Sequence, residues 1–153
     1  MGPAGAKENP TYVEVCSGST GHVEVYHVEF GGGESELSLE KMYEELVRFF
    51  FQFHDSTTTN RQEQDVGTQY ASCIFVYDDK QREIAERVRS DFQSHLTAGR
   101  VGGMAEDQVK TVIFDATVFF PAHEEHQEYL AKNQNGYCNH RIRFPAWPEP
   151  CEP

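Results

Sequence analysis

The sequence lacks long hydrophobic runs. No apolar stretch approaches the roughly 18 residues that a membrane-spanning helix needs. The first ten residues, MGPAGAKENP, also contain no apolar segment of the kind found at the centre of a secretory signal peptide. These two absences predict a soluble protein of the cytoplasm.

Positive charge is also scarce. The chain has 13 Lys and Arg against 25 Asp and Glu, which gives a formal net charge of −12 at pH 7. A surface with this excess of negative charge repels phosphate backbones and anionic lipids. Neither a nucleic acid nor a membrane is therefore expected as a partner.

Metal-ligand motifs are missing as well. The four cysteines lie far apart and form no C-x-x-C pair, so they lack the spacing of a zinc site. His123 and His126 in H-E-E-H are three residues apart, whereas the H-E-x-x-H zinc helix needs a separation of four. We interpret this segment as a solvated charged face and expect no metal.

The cysteines allow different interpretations. Cys73 lies in the apolar run YASCIFVY, where an inert packed thiol is expected. Cys138 and Cys151 lie in a segment that contains glycine and several prolines. Each is either a thiol that resolves an oxidised cysteine elsewhere or an ordinary surface thiol.

What the sequence does contain is typical of one globular domain. Of its 153 residues, 38% are apolar, and 11 Phe with 7 Tyr provide large side chains for a core. A chain of this length buries roughly two-thirds of its unfolded surface. We see no internal repeat and no interdomain linker, and predict a single domain over residues 1–153.

The hydrophobic pattern predicts alternating strands and helices. Strands are expected at 22–30, 70–77 and 109–114, helices at 39–53 and 79–96, a short helix at 121–133, and coil at 135–153. Ser38 is the expected N-cap of the first helix. The expected apolar face of that helix consists of Leu39, Met42, Tyr43, Leu46, Phe50 and Phe53. This order of elements predicts an α+β layered sandwich.

Taken by themselves, the polar residues give modest signals. Glu14 is either a solvated strand carboxylate or a buried carboxyl with a raised pKa that can donate a hydrogen bond at neutral pH. Asp65, before V-G-T-Q-Y, suits a turn, and Tyr70 suits half-buried packing with a bonded hydroxyl. His54 and His126 are interpreted as hydrogen-bonded histidines.

Three blocks of sequence together indicate a family. ENPTYVEVCSGSTGHVEV, FFFQFHDSTTTNRQEQDVGTQYASCIF and EEHQEYLAKNQNGYC occur in this order and cover nearly all of residues 7–138. They resemble successive signature blocks of the A-type peptide methionine sulfoxide reductases (MsrA). The resemblance implies a two-layer α/β sandwich of the ferredoxin-like MsrA type.

The resemblance also implies a reaction and site residues. In this family a cysteine of a G-C-F-W-G motif attacks the sulfur of methionine-S-sulfoxide in proteins and becomes a sulfenic acid. By resemblance, Glu14 falls at the proton-donating glutamate, and Asp65 and Tyr70 at the residues that hold and polarise the sulfoxide. His126 falls at a supporting, substrate-binding position.

Recycling in the family uses further thiols. A second cysteine resolves the sulfenic acid as a disulfide, which thioredoxin or another external dithiol reduces. Cys138 falls at this recycling cysteine, within G-Y-C, and Cys151 is a second candidate, although its P-E-P-C-E-P surroundings differ from the family pattern. No organic cofactor is implied, because the reductant is thiol chemistry.

The sequence departs from the family at the motif that carries the nucleophilic cysteine. It contains no G-C-F-W-G, and its only tryptophan is Trp147 in the proline-rich segment. We therefore expect an MsrA-like domain without the N-terminal strand–helix–strand, monomeric unless a partner supplies that segment, and with negligible reductase activity alone. Cys16 is expected to be structural rather than a replacement nucleophile. The alternative is a non-catalytic module that binds methionine sulfoxide.

Overall fold

The computed structural model describes residues 1–31, 33 and 36–149. Cys151 lies outside the described residues. The architecture is α+β, as expected from the sequence. Its two-stranded parallel sheet packs against one long helix, and a second long helix packs on the first.

The sheet and one helix form a β–α–β unit. Strand β3 (Cys73–Val76) leads into helix α3 (Asp79–Thr97), and strand β4 (Val112–Asp115) returns parallel to β3 in the register Cys73↔Val112. Helix α3 begins where the Asp78 carboxylate accepts a hydrogen bond from the Gln81 N–H, 2.7 Å away. All three elements lie within or close to the predicted ranges.

Helix α2 (Leu39–Phe53) packs against α3. The Ser38 hydroxyl accepts a hydrogen bond from the Lys41 N–H at 3.2 Å, so the predicted N-cap is confirmed. The predicted apolar face is only partly correct, because Val47 and Phe51 are the buried residues while Leu39 is exposed. The run FFFQF is apolar on several sides, so periodicity alone does not specify which side faces the core.

The core lies between the helices and extends into the C-terminal coil. Its buried residues are Val47, Phe51, Ile84, Val88, Phe92, Val101 and Phe144. The Phe92 ring stacks on Phe51 with centroids 5.0 Å apart and on Phe144 at 5.7 Å. Phe144 and Trp147 of the predicted coil therefore pack in or against the core, so this part of the coil completes it.

The polar segment between α2 and β3 contains a small hairpin that sequence patterns did not predict. Strands β1 (Arg61–Gln62) and β2 (Asp65–Val66) pair antiparallel, and a 3₁₀ turn (Thr68–Tyr70) follows. The Gln62 side chain bonds both backbone groups of Asp55, at 3.1 Å and 2.6 Å. These contacts hold the hairpin against the end of α2.

The N-terminal third differs from the prediction. The expected strand at 22–30 has no strand structure, because β3 and β4 pair with each other and none of the described strands pairs with this segment. Upstream, a short helix α1 (Tyr12–Cys16) replaces the expected extended stretch. The predicted short helix near 121–133 is reduced to α4 (Tyr129–Lys132).

No helix among residues 1–31, 33 and 36–149 combines the length and the apolar character needed to span a membrane.

Candidate functional site

Glu14 does not have the properties expected of a neutral proton donor. It lies in α1, where its carboxylate forms a capping box with Thr11 and an ion pair with Lys7. Both the N–H and the hydroxyl of Thr11 donate to it at 2.9 Å. These hydrogen bonds, led by that of Lys7, lower the pKa of Glu14 to about 2. The expectation of a buried carboxyl with a raised pKa at this position is wrong, because local caps stabilise the charged form.

The carboxyl with a raised pKa in this region is Glu24. Desolvation by the surrounding protein raises its pKa above 4.5, and the negative charge of Asp65 raises it further. The positive charge that His126 can carry acts in the opposite direction. The Glu24 side chain is exposed at the surface, so its desolvation is partial. Both the desolvation and the charge of Asp65 oppose ionisation of this carboxyl.

The 3₁₀ turn holds the segments that carry these groups together. The Glu24 N–H donates to the Gln69 carbonyl at 2.9 Å, and the Gln69 side-chain amide donates to the Cys16 carbonyl at 3.1 Å. The Thr68 hydroxyl donates to the Gly18 carbonyl at 3.0 Å. Residues about 50 positions apart are thereby fixed beside one another.

Tyr70 follows directly in this turn and belongs to the same electrostatic cluster. Desolvation raises the pKa of Tyr70, and the negative charges of Glu24 and Asp65 raise it further. Its phenol therefore stays protonated at neutral pH and remains available as a hydrogen-bond donor. The structure brings together two residues named from the sequence, Asp65 and Tyr70, and adds Glu24.

Tyr12 and His126 complete the cluster. The neighbouring Cys16 thiol raises the pKa of the Tyr12 phenol, and desolvation and the charge of Glu24 act on it in the same direction. The Tyr12 ring stacks on the His126 imidazole with centroids 5.2 Å apart. His126 thus lies at the edge of the cluster, in contact with Tyr12.

The described thiols differ in their environments. Burial raises the pKa of Cys73 to about 11, as befits an inert packed thiol. Cys16 and Cys138 are exposed, and neither forms a disulfide. Asn139, the neighbour of Cys138, donates to the Asp65 carboxylate at 2.6 Å, which places the C-terminal thiol segment beside the cluster.

His54 is a satisfied core histidine, in agreement with its interpretation from the sequence. Its Nδ1 donates to the Phe50 carbonyl at 2.6 Å, so Nε2 accepts from the Ser72 hydroxyl at 2.7 Å. Ser72 in turn bonds the Thr111 hydroxyl at 2.7 Å. Burial lowers the pKa of His54 to about 4, so the ring is neutral and joins α2 to the sheet.

Within residues 1–31, 33 and 36–149, no group of three or more His, Cys, Asp or Glu is arranged to hold a metal ion. The cluster therefore consists of two carboxyls, two phenols, an imidazole and a nearby thiol. A protonated carboxyl and a phenol can both donate hydrogen bonds to an acceptor oxygen.

The sequence reasoning overlooked Glu24 and Tyr12. Both lie inside the blocks that carry the family resemblance, in G-H-V-E-V and P-T-Y-V-E-V. The resemblance places the proton-donating glutamate at Glu14 instead, in the same block of sequence. The pattern T-x-x-E at residues 11–14 is typical of a capping box at the start of a helix. It predicts a helix over residues 12–16 with Glu14 in the cap.

Comparison with known proteins agrees with the sequence resemblance. The family model for peptide methionine sulfoxide reductase matches residues 3–146. Peptide methionine sulfoxide reductase MsrA of Azotobacter vinelandii is 45% identical over 134 residues, which cover 88% of this chain and 57% of that protein. MsrA of Vibrio cholerae is 44% identical over 134 residues, covering 88% and 58%.

Solved structures agree with the fold. The reduced form of Mxr1 from Saccharomyces cerevisiae has a TM-score of 0.71 and 32% identity, covering 94% of this chain and 74% of that one. Methionine sulfoxide reductase A of Corynebacterium diphtheriae has a TM-score of 0.66 and 32% identity, covering 90% and 64%. This chain spans somewhat more than half the length of the two bacterial relatives named above. On this sequence and structural similarity, the chain belongs to the peptide methionine sulfoxide reductase family, of the MsrA type.

Proposed function

We propose that this chain forms the sulfoxide-binding part of a peptide-methionine (S)-S-oxide reductase, with Glu24 as the group that protonates the sulfoxide oxygen. One observation carries this proposal. The Glu24 carboxyl has a raised pKa and interacts electrostatically with Asp65 and with the phenols of Tyr70 and Tyr12. Glu24 replaces Glu14 in the role first inferred from the sequence.

The proposed chemistry follows from the properties of the S=O group. The oxygen accepts hydrogen bonds from Glu24 and Tyr70, and this makes the sulfur electrophilic. A thiolate then attacks the sulfur while Glu24 gives its proton to the oxygen. The OH group passes from the methionine sulfur to the cysteine sulfur as the S–S bond of this adduct breaks, and methionine leaves as the sulfide. The thiol retains the oxygen as a sulfenic acid. Attack by a second thiol forms a disulfide and releases water.

Asp65 has an electrostatic part in this scheme. Its negative charge raises the pKa of Glu24 and so favours the protonated form that can donate. A nearby negative charge that raises the pKa of a carboxyl helps that carboxyl to act as a general acid. His126 supports Tyr12 at the edge of the cluster.

The family's motif for the attacking thiol is missing from these 153 residues. They contain no G-C-F-W-G motif. We propose that a segment bearing this motif supplies the nucleophile, that Cys138 resolves the sulfenic acid with Cys151 as a second candidate, and that thioredoxin or a similar dithiol reduces the disulfide. No metal or organic cofactor takes part, and the chain acts in the cytoplasm.

Peptide titration tests the binding half of this proposal. The 153-residue chain should bind a peptide with methionine-S-sulfoxide more tightly than the R epimer or unoxidised methionine. Replacing Glu24→Ala should weaken binding about threefold to tenfold, the effect of one lost hydrogen bond. The matched control, Glu14→Gln, should leave it unchanged. Equal binding of both epimers would exclude a sulfoxide site here.

Turnover distinguishes the reductase from a second candidate, a non-catalytic module that binds methionine sulfoxide. With dithiothreitol or thioredoxin, the chain alone should show negligible reduction of the peptide. Addition of a polypeptide carrying G-C-F-W-G should restore turnover if the chain is part of a reductase. Binding that persists without any restoration favours the module. Turnover by the chain alone that Cys16→Ser abolishes would make Cys16 the nucleophile.

A further inference from the structure

The C-terminal coil is fastened along the end of α2. The backbone N–H of Arg141 donates to the Phe53 carbonyl at 3.2 Å, and that of Arg143 donates to the Gln52 carbonyl at 2.8 Å. The Gln52 side chain returns a bond to the Phe144 carbonyl at 3.2 Å. We call residues 139–147 the C-terminal strap.

A buried arginine anchors the middle of the strap. The side chain of Arg143 is 3% exposed, and its guanidinium bonds Glu63 at 2.9 Å and the Gly103 carbonyl at 2.6 Å. Glu63 connects β1 to β2, so this ion pair fixes the strap against the hairpin that carries Asp65. Arg141 also pairs with Glu63, at 2.8 Å.

Asn139 is the strap's first contact with the candidate site. Its side-chain amide donates to the Asp65 carboxylate at 2.6 Å and to the Gln62 carbonyl at 3.2 Å. The amide thus bridges both strands of the hairpin. On the other side of Asn139, Gly136 bonds Asn133 and the Cys138 thiol contacts the His140 carbonyl at 3.9 Å, so these contacts are local.

We propose that Asn139 is a positioning residue that latches the segment bearing Cys138 onto Asp65, and so holds the recycling thiol beside the sulfoxide site. Its meaning for turnover depends on the function proposed above. A hydrogen bond to a charged acceptor is stronger than one between neutral groups, and it restricts the residue next to the thiol. Restricting a thiol near its target raises its effective concentration there.

The latch can be measured in the 153-residue chain without any substrate, by nuclear relaxation of the backbone amides of Tyr137, Cys138 and Asn139. In the wild-type chain these amides should be ordered, with order parameters of about 0.85. Asn139→Ala should lower them below about 0.6, the range of flexible backbone. The control Asn135→Ala, an exposed asparagine of the same segment, should change nothing.

An exchange of the two partners separates a latch from a general structural role. Asn139→Asp alone places two carboxylates together, Asp65→Asn alone removes the charge, and both should loosen the segment. The double variant Asn139→Asp with Asp65→Asn restores an amide–carboxylate pair with donor and acceptor reversed. We expect it to recover much of the order, while urea midpoints stay close to wild type in every variant.

Two results would overturn the latch: a wild-type segment that is already flexible at Cys138, or a double variant no more ordered than either single variant. The sulfoxide proposal is tested separately by peptide binding. Loss of peptide binding with an intact latch would refute the proposed function and not the latch. Intact peptide binding without a latch would refute the latch and not the proposed function.

Discussion

The imidazole of His126 stacks on the ring of Tyr12, with centroids 5.2 Å apart and planes inclined by 27°. His123 contacts the same ring at the same centroid distance, inclined by 33°. The two histidines nevertheless differ in one respect. Only His126 acts electrostatically on Glu24, whose pKa it lowers.

This difference predicts unequal effects of the two histidines on Glu24. Replacing His126→Ala removes a group that stabilises the charged carboxylate, so the pKa of Glu24 should rise. His123→Ala removes a comparable contact with Tyr12 and should leave that pKa unchanged. Carbon-13 NMR titration of the Glu24 carboxyl measures both. Equal shifts in the two variants would contradict the assignment of His126 to the site.

Binding of the sulfoxide peptide should depend on pH through Glu24. Only the protonated carboxyl donates a hydrogen bond, so affinity should be highest in acid and should fall as the pH rises through the raised pKa of Glu24. Glu24→Gln carries a permanent donor and should bind with little pH dependence. Calorimetric titrations from pH 5 to 8 provide the measurement. Glu14→Gln, the control, should keep the wild-type profile.

Stability should also depend on pH through His54. Its pKa is about 4 in the folded protein and 6.5 in the reference state, so the unfolded chain binds the proton more readily. Above pH 6.5 the ring is neutral in both states and contributes no slope. Between pH 6.5 and 4 the free energy of unfolding should fall by about 1.4 kcal/mol per pH unit from this group, and below pH 4 the slope should vanish.

Comparison with a variant isolates this contribution from those of other groups. His54→Gln should be less stable than the wild type at pH 7, because Ser72 loses the partner 2.7 Å away. Its free energy of unfolding should nevertheless change less between pH 6.5 and 4. Urea unfolding at several pH values determines the two curves. Parallel curves would show that His54 binds the proton equally well in the folded and the unfolded protein.

The C-terminal strap should contribute strongly to stability. Phe144 is 7% exposed and stacks on Phe92. Phe144→Ala should therefore lower the free energy of unfolding by about 3 kcal/mol, the lower end for a buried phenylalanine. Tyr137→Ala, at an exposed residue of the same coil, should change it by less than about 0.5 kcal/mol. Urea unfolding of the two variants measures both effects. Equal stabilities would show that the strap does not pack firmly against the core.

Helices α2 and α3 and strands β3 and β4 could be predicted because their signals are local. Ser38 before an apolar helical period and Asp78 before α3 each specify a helix start within a few residues. The run from Cys73 to Val76 is apolar and β-branched enough to predict a strand. The strand expected at 22–30 failed for a different reason. A strand requires a neighbouring chain segment in register, and no described strand pairs with it.

The candidate site was predicted in part. Asp65, Tyr70 and His126 came from the family blocks, and the structure places them in one electrostatic cluster. Glu24 was missed because nothing in G-H-V-E-V distinguishes a desolvated carboxyl from a solvated one. Its raised pKa arises from partial desolvation and from the charge of Asp65, a residue 41 positions away.

The sequence by itself determined the family, the α+β class and the main helices, since these depend on motif order, hydrophobic period and caps. Only the tertiary structure showed that the pKa is lowered at Glu14 and raised at Glu24, and only it showed that residues 139–147 pack against α2 and Asp65. The pKa of a carboxyl depends on the solvent and charges around it. Those neighbours are fixed by contacts between distant residues, which no local pattern records.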